Sequence, residues 1–104
     1  MTTLLDPERV TAALNRLTDW RRDGDGIVRT AKLPSFPAAI EAVRAVAGIA
    51  EERNHHPDID IRWRTVTFRC STHSAGGITD LDIDLATQID QILADPSRYG
   101  DISG

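Results

Sequence analysis

The sequence predicts an α+β domain, a four-stranded antiparallel sheet with helices packed on one face in the order α-β-β-α-β-β-α. Three observations carry this reading. Two stretches, residues 20–33 and 58–70, each read as a pair of short strands. Each pair is followed by a longer stretch of helical period. Each helical stretch opens on a residue suited to capping. Two hairpins, each followed by a helix, close most simply into one sheet with a helical layer.

The first element is a helix that opens at Asp6 as cap, with Pro7 in the first helical position and Glu8 at the positive end of the dipole. Leu5 and Val10 have the spacing of a hydrophobic staple, and Val10, Leu14 and Leu17 form the apolar face. Trp20, the turn DGDG and the run IVRTAKL then read as a hairpin of a short strand and a longer one.

Ser35 caps a second helix with Pro37 in its first turn. Phe36, Ile40, Val43, Ala47 and Ala50 recur on one helical face, widened by Val46 and Ile49. Two alternating strands follow. Ile59, Ile61 and Trp63 share one face of the first, and Val66, Phe68 and Cys70 point inward from the second. Trp20 and Trp63 are expected in the core or on a sheet face. Thr79 opens a third helix, stapled by Ile78 and Ile83, with Leu81, Leu85, Ile89 and Ile92 as its apolar face and Pro96 as its stop.

The 104 residues suit a single domain, spanning 1–104, with no linker or repeat. A net charge of −4 without a basic stripe disfavours direct nucleic-acid binding. The single cysteine, Cys70, alternates with Val66 and Phe68 and is expected to be a buried, inert thiol. No run approaches the ~20 apolar residues of a membrane span. The N-terminus has no signal-like apolar run, so the expected location is cytoplasmic.

All three histidines fall in one window: His55, His56 and His73. Histidine exchanges protons near neutral pH. Glu51 lies one helical turn before His55, which brings a carboxylate within reach of the ring. Asn54 can take a left-handed helix end, and Pro57 stiffens the exit from the histidine pair. If the strand before His73 pairs antiparallel with the strand after His56, the third imidazole returns to the first two.

Three readings compete for this cluster. One is acid–base catalysis on a small polar substrate. Another is a zinc site, which the residue types suit, although the spacing is not HExxH and adjacent histidines diverge. The third is a set of surface histidines that help the last carbonyls of a helix. Asp82, at the third position of the last helix, is explained locally as a cap. No phosphate loop or nucleophile elbow is present.

The spacing Glu51-x3-His55-His56-Pro57-x5-Trp63-x9-His73-x8-Asp82 resembles the signature of the pterin-4a-carbinolamine dehydratase family, also known as dimerisation cofactors of a homeodomain transcription factor. The triplet Ser71-Thr72-His73, the AGGIT turn and the DIDLA run from Asp82 fit the same pattern. The resemblance implies a hydro-lyase that dehydrates 4a-hydroxytetrahydropterin (4a-hydroxytetrahydrobiopterin) to the quinonoid dihydropterin, in tetrahydrobiopterin recycling. It implies no cofactor and no metal. His55 and His73 would protonate the leaving hydroxyl, and His56 would bind substrate and take the ring proton. Glu51 would support the cluster, and Pro57, Thr72, Ser74 and Ala75 would line the substrate. Asp82 belongs to the signature, with its role open between orienting His73 and capping the helix. Ser74 stands where some relatives carry an acid, and Ala31 and Leu33 stand where many carry aromatics. The implied partners are a pterin substrate and further copies of the chain, as homodimer or homotetramer, with neither direct nucleic-acid nor membrane binding. The alternative is a binding or regulatory protein that uses the same fold and oligomer surface without catalysis.

Overall fold

The computed structural model describes residues 3–95, and the expected stop at Pro96 lies outside them. Helix α1 spans Pro7–Arg16, strands β1 and β2 span Arg21–Asp23 and Gly26–Lys32, and helix α2 spans Phe36–Arg53. Strands β3 and β4 span Asp58–Arg62 and Thr65–Cys70, a single 3-10 turn covers His73–Ala75, and helix α3 spans Asp80–Leu93.

The caps are those the sequence implies. The Asp6 carboxylate accepts from the Arg9 backbone N–H at 2.9 Å, and the Ser35 hydroxyl from that of Ala38 at 3.1 Å. Thr79 and Asp82 form a reciprocal capping box at the start of α3. The β1–β2 turn places Gly24 at its first central position with φ 60°, where a side chain is disfavoured and glycine is not.

The strands form one antiparallel sheet in the order β1-β2-β4-β3. Its helical face carries Ile27, Ala31, Val66, Phe68 and Cys70, all fully buried against Val10 of α1, Ala39, Ala42 and Val46 of α2, and Leu85, Ala86 and Ile89 of α3. Phe68 lies at the centre of this core, where truncation to alanine typically costs about 3–5 kcal/mol. The opposite face is polar apart from Val28, and the Thr30 and Thr67 hydroxyls meet across it at 3.0 Å. Burial pushes the Cys70 thiol well above its usual range, so it is inert as a nucleophile.

A buried cation lies on the helical face of the sheet. Arg29 is 8% exposed and projects from the helical face of β2. Its guanidinium donates to Asp90 of α3 at 2.6 Å and lies 3.6 Å from Asp19. The same Asp90 oxygen accepts from the Trp20 indole at 2.7 Å. One carboxylate of α3 thus joins β2 and the segment after α1.

Two faces differ from expectation. In α2 the buried stripe is Ala39, Ala42, Val46 and Ala50, while Phe36 and Ile40 are 49% and 44% exposed. Ala47 is exposed as well. The small residues win the inner face because they let the helix lie close to its neighbours. Trp63 is 69% exposed and has left the strand: it sits in the β3–β4 turn at φ 55°, with the Arg64 guanidinium 5.0 Å from its ring centre. Ile61 on the edge strand β3 is also 37% exposed.

Candidate active site

The sheet order decides where the histidines meet. In the β3–β4 pairing Asp58 lies opposite Arg69, so the loop that enters β3 and the segment that leaves β4 share one end of the sheet. His55 and His56 sit in that loop, and Ser71 to His73 in that segment.

The loop is set by the end of α2. Asn54 adopts the left-handed conformation at φ 50°, ψ 42°. Its backbone N–H bonds the Glu51 carbonyl at 3.2 Å, and that of His55 bonds the Ala50 carbonyl at 3.0 Å. This is the Schellman arrangement, and it turns the chain sharply just before the histidine pair.

The two adjacent rings go separate ways. His55 Nε2 lies 2.7 Å from Asp82 Oδ1, with the His55 side chain 11% exposed and the Asp82 side chain fully buried. Asp82 Oδ2 accepts from the Thr79 backbone N–H and from the Thr72 hydroxyl, both at 2.8 Å, and the Thr72 and Thr79 hydroxyls are 2.7 Å apart. His56 Nε2 lies 2.8 Å from Glu51 Oε1 in an exposed pair. The expected pairing of Glu51 with His55 is therefore corrected. The left-handed turn at Asn54 swings His55 toward α3 and leaves His56 over the last turn of α2. Asp82 both caps its helix and holds His55; its ring partner is not His73.

His73 is exposed on the 3-10 turn. That turn is closed by the Thr72 N–H to the Gly77 carbonyl at 2.8 Å and the Gly76 N–H to the Thr72 carbonyl at 2.9 Å, with Gly76 at φ 78°. The β1–β2 turn is fastened alongside. The Ser71 hydroxyl donates to the Asp25 carbonyl at 2.7 Å, and Arg69 donates to the Asp25 carboxylate and the Asp23 carbonyl, each at 2.8 Å. The Arg69 guanidinium holds the Asp25 carboxyl below its usual range, and His73 adds a smaller downward push. A Cβ at Gly26 would stand 2.7 Å from the Arg69 guanidinium, displacing it, and 3.0 Å from the Cys70 carbonyl oxygen, a tight approach to backbone.

All three histidines line one open cleft of about 300 Å³, together with Asn54, Ser71, Thr72, Ser74 and Leu81. Of the residues singled out from sequence, the three histidines, Thr72 and Ser74 lie on its wall. Glu51 and Asp82 stand behind His56 and His55, while Pro57 and Ala75 are not among the wall residues. Sequence reasoning missed Asn54, Ser71 and Leu81 as wall residues. Leu81 was assigned to the inner face of α3, yet it is 39% exposed and supplies an apolar patch beside the rings. Among the described residues no three His, Cys, Asp or Glu side chains converge as a metal site. The wall combines proton donors and acceptors, hydroxyls and an amide, which suits a small polar ring substrate.

Comparison with known proteins places the chain in a family. Residues 3–92 match the family model described as pterin 4 alpha carbinolamine dehydratase. A protein of Nocardia farcinica, provisionally named pterin-4-alpha-carbinolamine dehydratase, is 62% identical over 91 residues, covering 88% of this chain and 96% of that one. A Roseiflexus sp. protein with the same provisional name is 54% identical over 93 residues, covering 89% of this chain and all of its own. The solved structure of a transcriptional coactivator/pterin dehydratase from Brucella melitensis superposes with a TM-score of 0.82 at 30% identity, over 85% of this chain and 96% of that one. In signature, fold and sequence, the chain belongs to the pterin-4α-carbinolamine dehydratase family.

Proposed function

We propose that this protein dehydrates a 4a-hydroxytetrahydropterin to the quinonoid dihydropterin and water by histidine acid–base catalysis, and that it serves tetrahydrobiopterin recycling in the cytoplasm. The observation that carries the proposal is the convergence of His55, His56 and His73 on one cleft, each held by a different local frame. The reaction is an elimination. The C4a hydroxyl takes a proton and departs as water, and a ring nitrogen gives up a proton as its electron pair moves into the new double bond. Oxidation level is unchanged, so a paired acid and base suffice and no cofactor is called for.

In this reading His55 and His73 supply the proton to the leaving hydroxyl and His56 accepts the ring proton. Glu51 and Asp82 orient His56 and His55. Thr72 and Ser74 contact the pterin edge, with Pro57 and Ala75 shaping the approach. Asn54, Ser71 and Leu81 complete the wall. A homo-oligomer is part of the proposal. Among the described residues the outer edge of β3 is unpaired, and Phe36 and Ile40 present apolar surface on α2.

The test is a dehydration assay on carbinolamine generated enzymatically, with wild type and the three single His→Ala variants. His56→Ala is expected to lower kcat/KM by roughly 10²-fold or more, the usual contribution of a positioned acid–base group. Equal rates with and without wild-type protein would overturn the proposal. A second reading, a binding protein without catalysis, is favoured by one observation: the Brucella melitensis relative is named both coactivator and dehydratase. A protein partner whose binding survives all three His→Ala changes, in a chain with no dehydratase activity, would select it.

A further inference from the structure

The buried side of the cleft determines more than where His55 stands. Asp82 divides its two oxygens between two tasks. Oδ2 takes the backbone N–H of Thr79 and the hydroxyl of Thr72, and Oδ1 is left to His55 Nε2. Helix capping uses only the first oxygen. The second serves no local purpose, because His55 is 27 residues away in the chain.

The direction of every proton in this cluster follows from counting. A carboxylate accepts and has nothing to donate. The Thr72 hydroxyl spends its one proton on Asp82 Oδ2, so across the 2.7 Å contact with Thr79 it is Thr79 that donates. The Thr79 oxygen in turn accepts from the Leu81 backbone N–H at 3.2 Å. With Asp82 saturated by donors on one oxygen, its other oxygen requires a proton from His55 Nε2. Thr79, Thr72 and Asp82 are all buried, so water does not compete for these bonds. The exposed His56–Glu51 pair lacks any comparable support.

We infer that Thr79 and Thr72 are positioning residues which, through Asp82, hold His55 as the Nε2–H tautomer and thereby make Nδ1 its reacting nitrogen. Among the described residues Nδ1 of His55 has no hydrogen-bond partner, so it is the ring atom left to meet a ligand in the cleft; it gives a proton to the leaving hydroxyl from the doubly protonated ring, which returns to Nε2–H on Asp82. The assignment to catalysis rests on the proposed dehydratase reading, whereas the tautomer itself does not. The wiring also ties the histidine to the first turn of α3, so the group that starts the helix and the group that orients the ring are one carboxylate.

The test reads the tautomer directly. In protein labelled with ¹⁵N histidine, the two-bond couplings of the neutral ring distinguish Nε2–H from Nδ1–H. Wild type is expected to show His55 as Nε2–H. Asp82→Asn keeps an oxygen for Thr79 and Thr72 but turns an amide N–H toward His55, so the ring is expected to switch to Nδ1–H while the fold is retained. In serine proteases the equivalent Asp→Asn change costs about 10⁴ in kcat through the wrong tautomer, and a kcat loss of roughly 10²-fold or more is expected here. Thr72→Val is expected to lower kcat roughly fivefold to tenfold, as for one lost hydrogen bond, with Thr72→Ser restoring both the rate and the Nε2–H signature. Wild-type His55 found as Nδ1–H, or an unchanged tautomer in folded Asp82→Asn, would overturn the inference. Nε2–H in wild type, switching in Asp82→Asn, with no dehydratase activity, would uphold the wiring and overturn the function instead.

Discussion

His55 and His56 are bonded neighbours, yet each pairs with a carboxylate of opposite character. The Asp82 partner is buried and receives three hydrogen bonds; the Glu51 partner is 82% exposed on its side chain. An exposed ion pair is worth little, because water screens it and both side chains lose rotamer freedom. Glu51→Gln is therefore expected to lower kcat by no more than about threefold in the dehydration assay, far less than Asp82→Asn. Arg69 and Asp25 offer a second check at this scale. Arg69 depresses the Asp25 carboxyl below its ordinary value of 3.8 in the folded state. Such a group stabilises the fold at pH values above 3.8, and the contribution is lost as pH falls through the lower folded value. Arg69→Ala is expected to return the Asp25 titration upward toward 3.8, read by carboxyl ¹³C NMR across pH 2–6. The pairing of rings with carboxylates was the least legible feature in the sequence. The one-turn rule connects Glu51 with His55, but that rule holds only while the helix continues. Asn54 ends it with a left-handed residue, and the ring that comes back over Glu51 is His56.

At the scale of elements, caps and turns were legible because they depend on residues no more than a few positions apart. Asp6, Ser35, Asn54 and Thr79 all stand at the helix ends their side chains suit. Thr79 does more than cap, since its hydroxyl is fully buried and bonded to Thr72. Thr79→Ala is expected to destabilise the protein by about 2 kcal/mol, at the upper end for a lost cap, measured by urea denaturation. The inward face of α2 was legible only in part, at Val46 and Ala50, which are buried as the period implies. Apolar side chains surround much of that helix, and periodicity favours the large ones, Phe36 and Ile40. Packing favours the small ones, Ala39, Ala42 and Ala50, because a close approach fills space that a bulky side chain would hold open. Trp63 escaped in a similar way. It continues the alternation of β3 in sequence, but the two-residue turn needs a positive φ at its position.

At the scale of the whole molecule, the Arg29–Asp90 pair links the sheet to α3 and, through the Trp20 indole, to the segment after α1. Asp90→Ala removes the closer partner of the buried Arg29 guanidinium and leaves it only Asp19 at 3.6 Å. The variant is expected to cost about 2 kcal/mol in urea denaturation, below the range for a fully buried pair because Asp90 is partly exposed, and pairing it with Arg29→Leu should recover most of that loss. Sequence alone determined the elements, their order, the caps and the first hairpin turn, and which imidazoles are available, because local backbone chemistry and side-chain period act over a few residues. The three histidines were recognisable as a set by the same short-range spacing. Only the tertiary structure decided that His55 belongs to Asp82 and His56 to Glu51, that Leu81 and Ser71 share their cleft, and that α2 turns Ala39 and Ala42 inward in place of Phe36 and Ile40. Those outcomes depend on the strand order β1-β2-β4-β3 and on contacts between residues tens of positions apart, whose energies arise from packing and burial that no local pattern encodes.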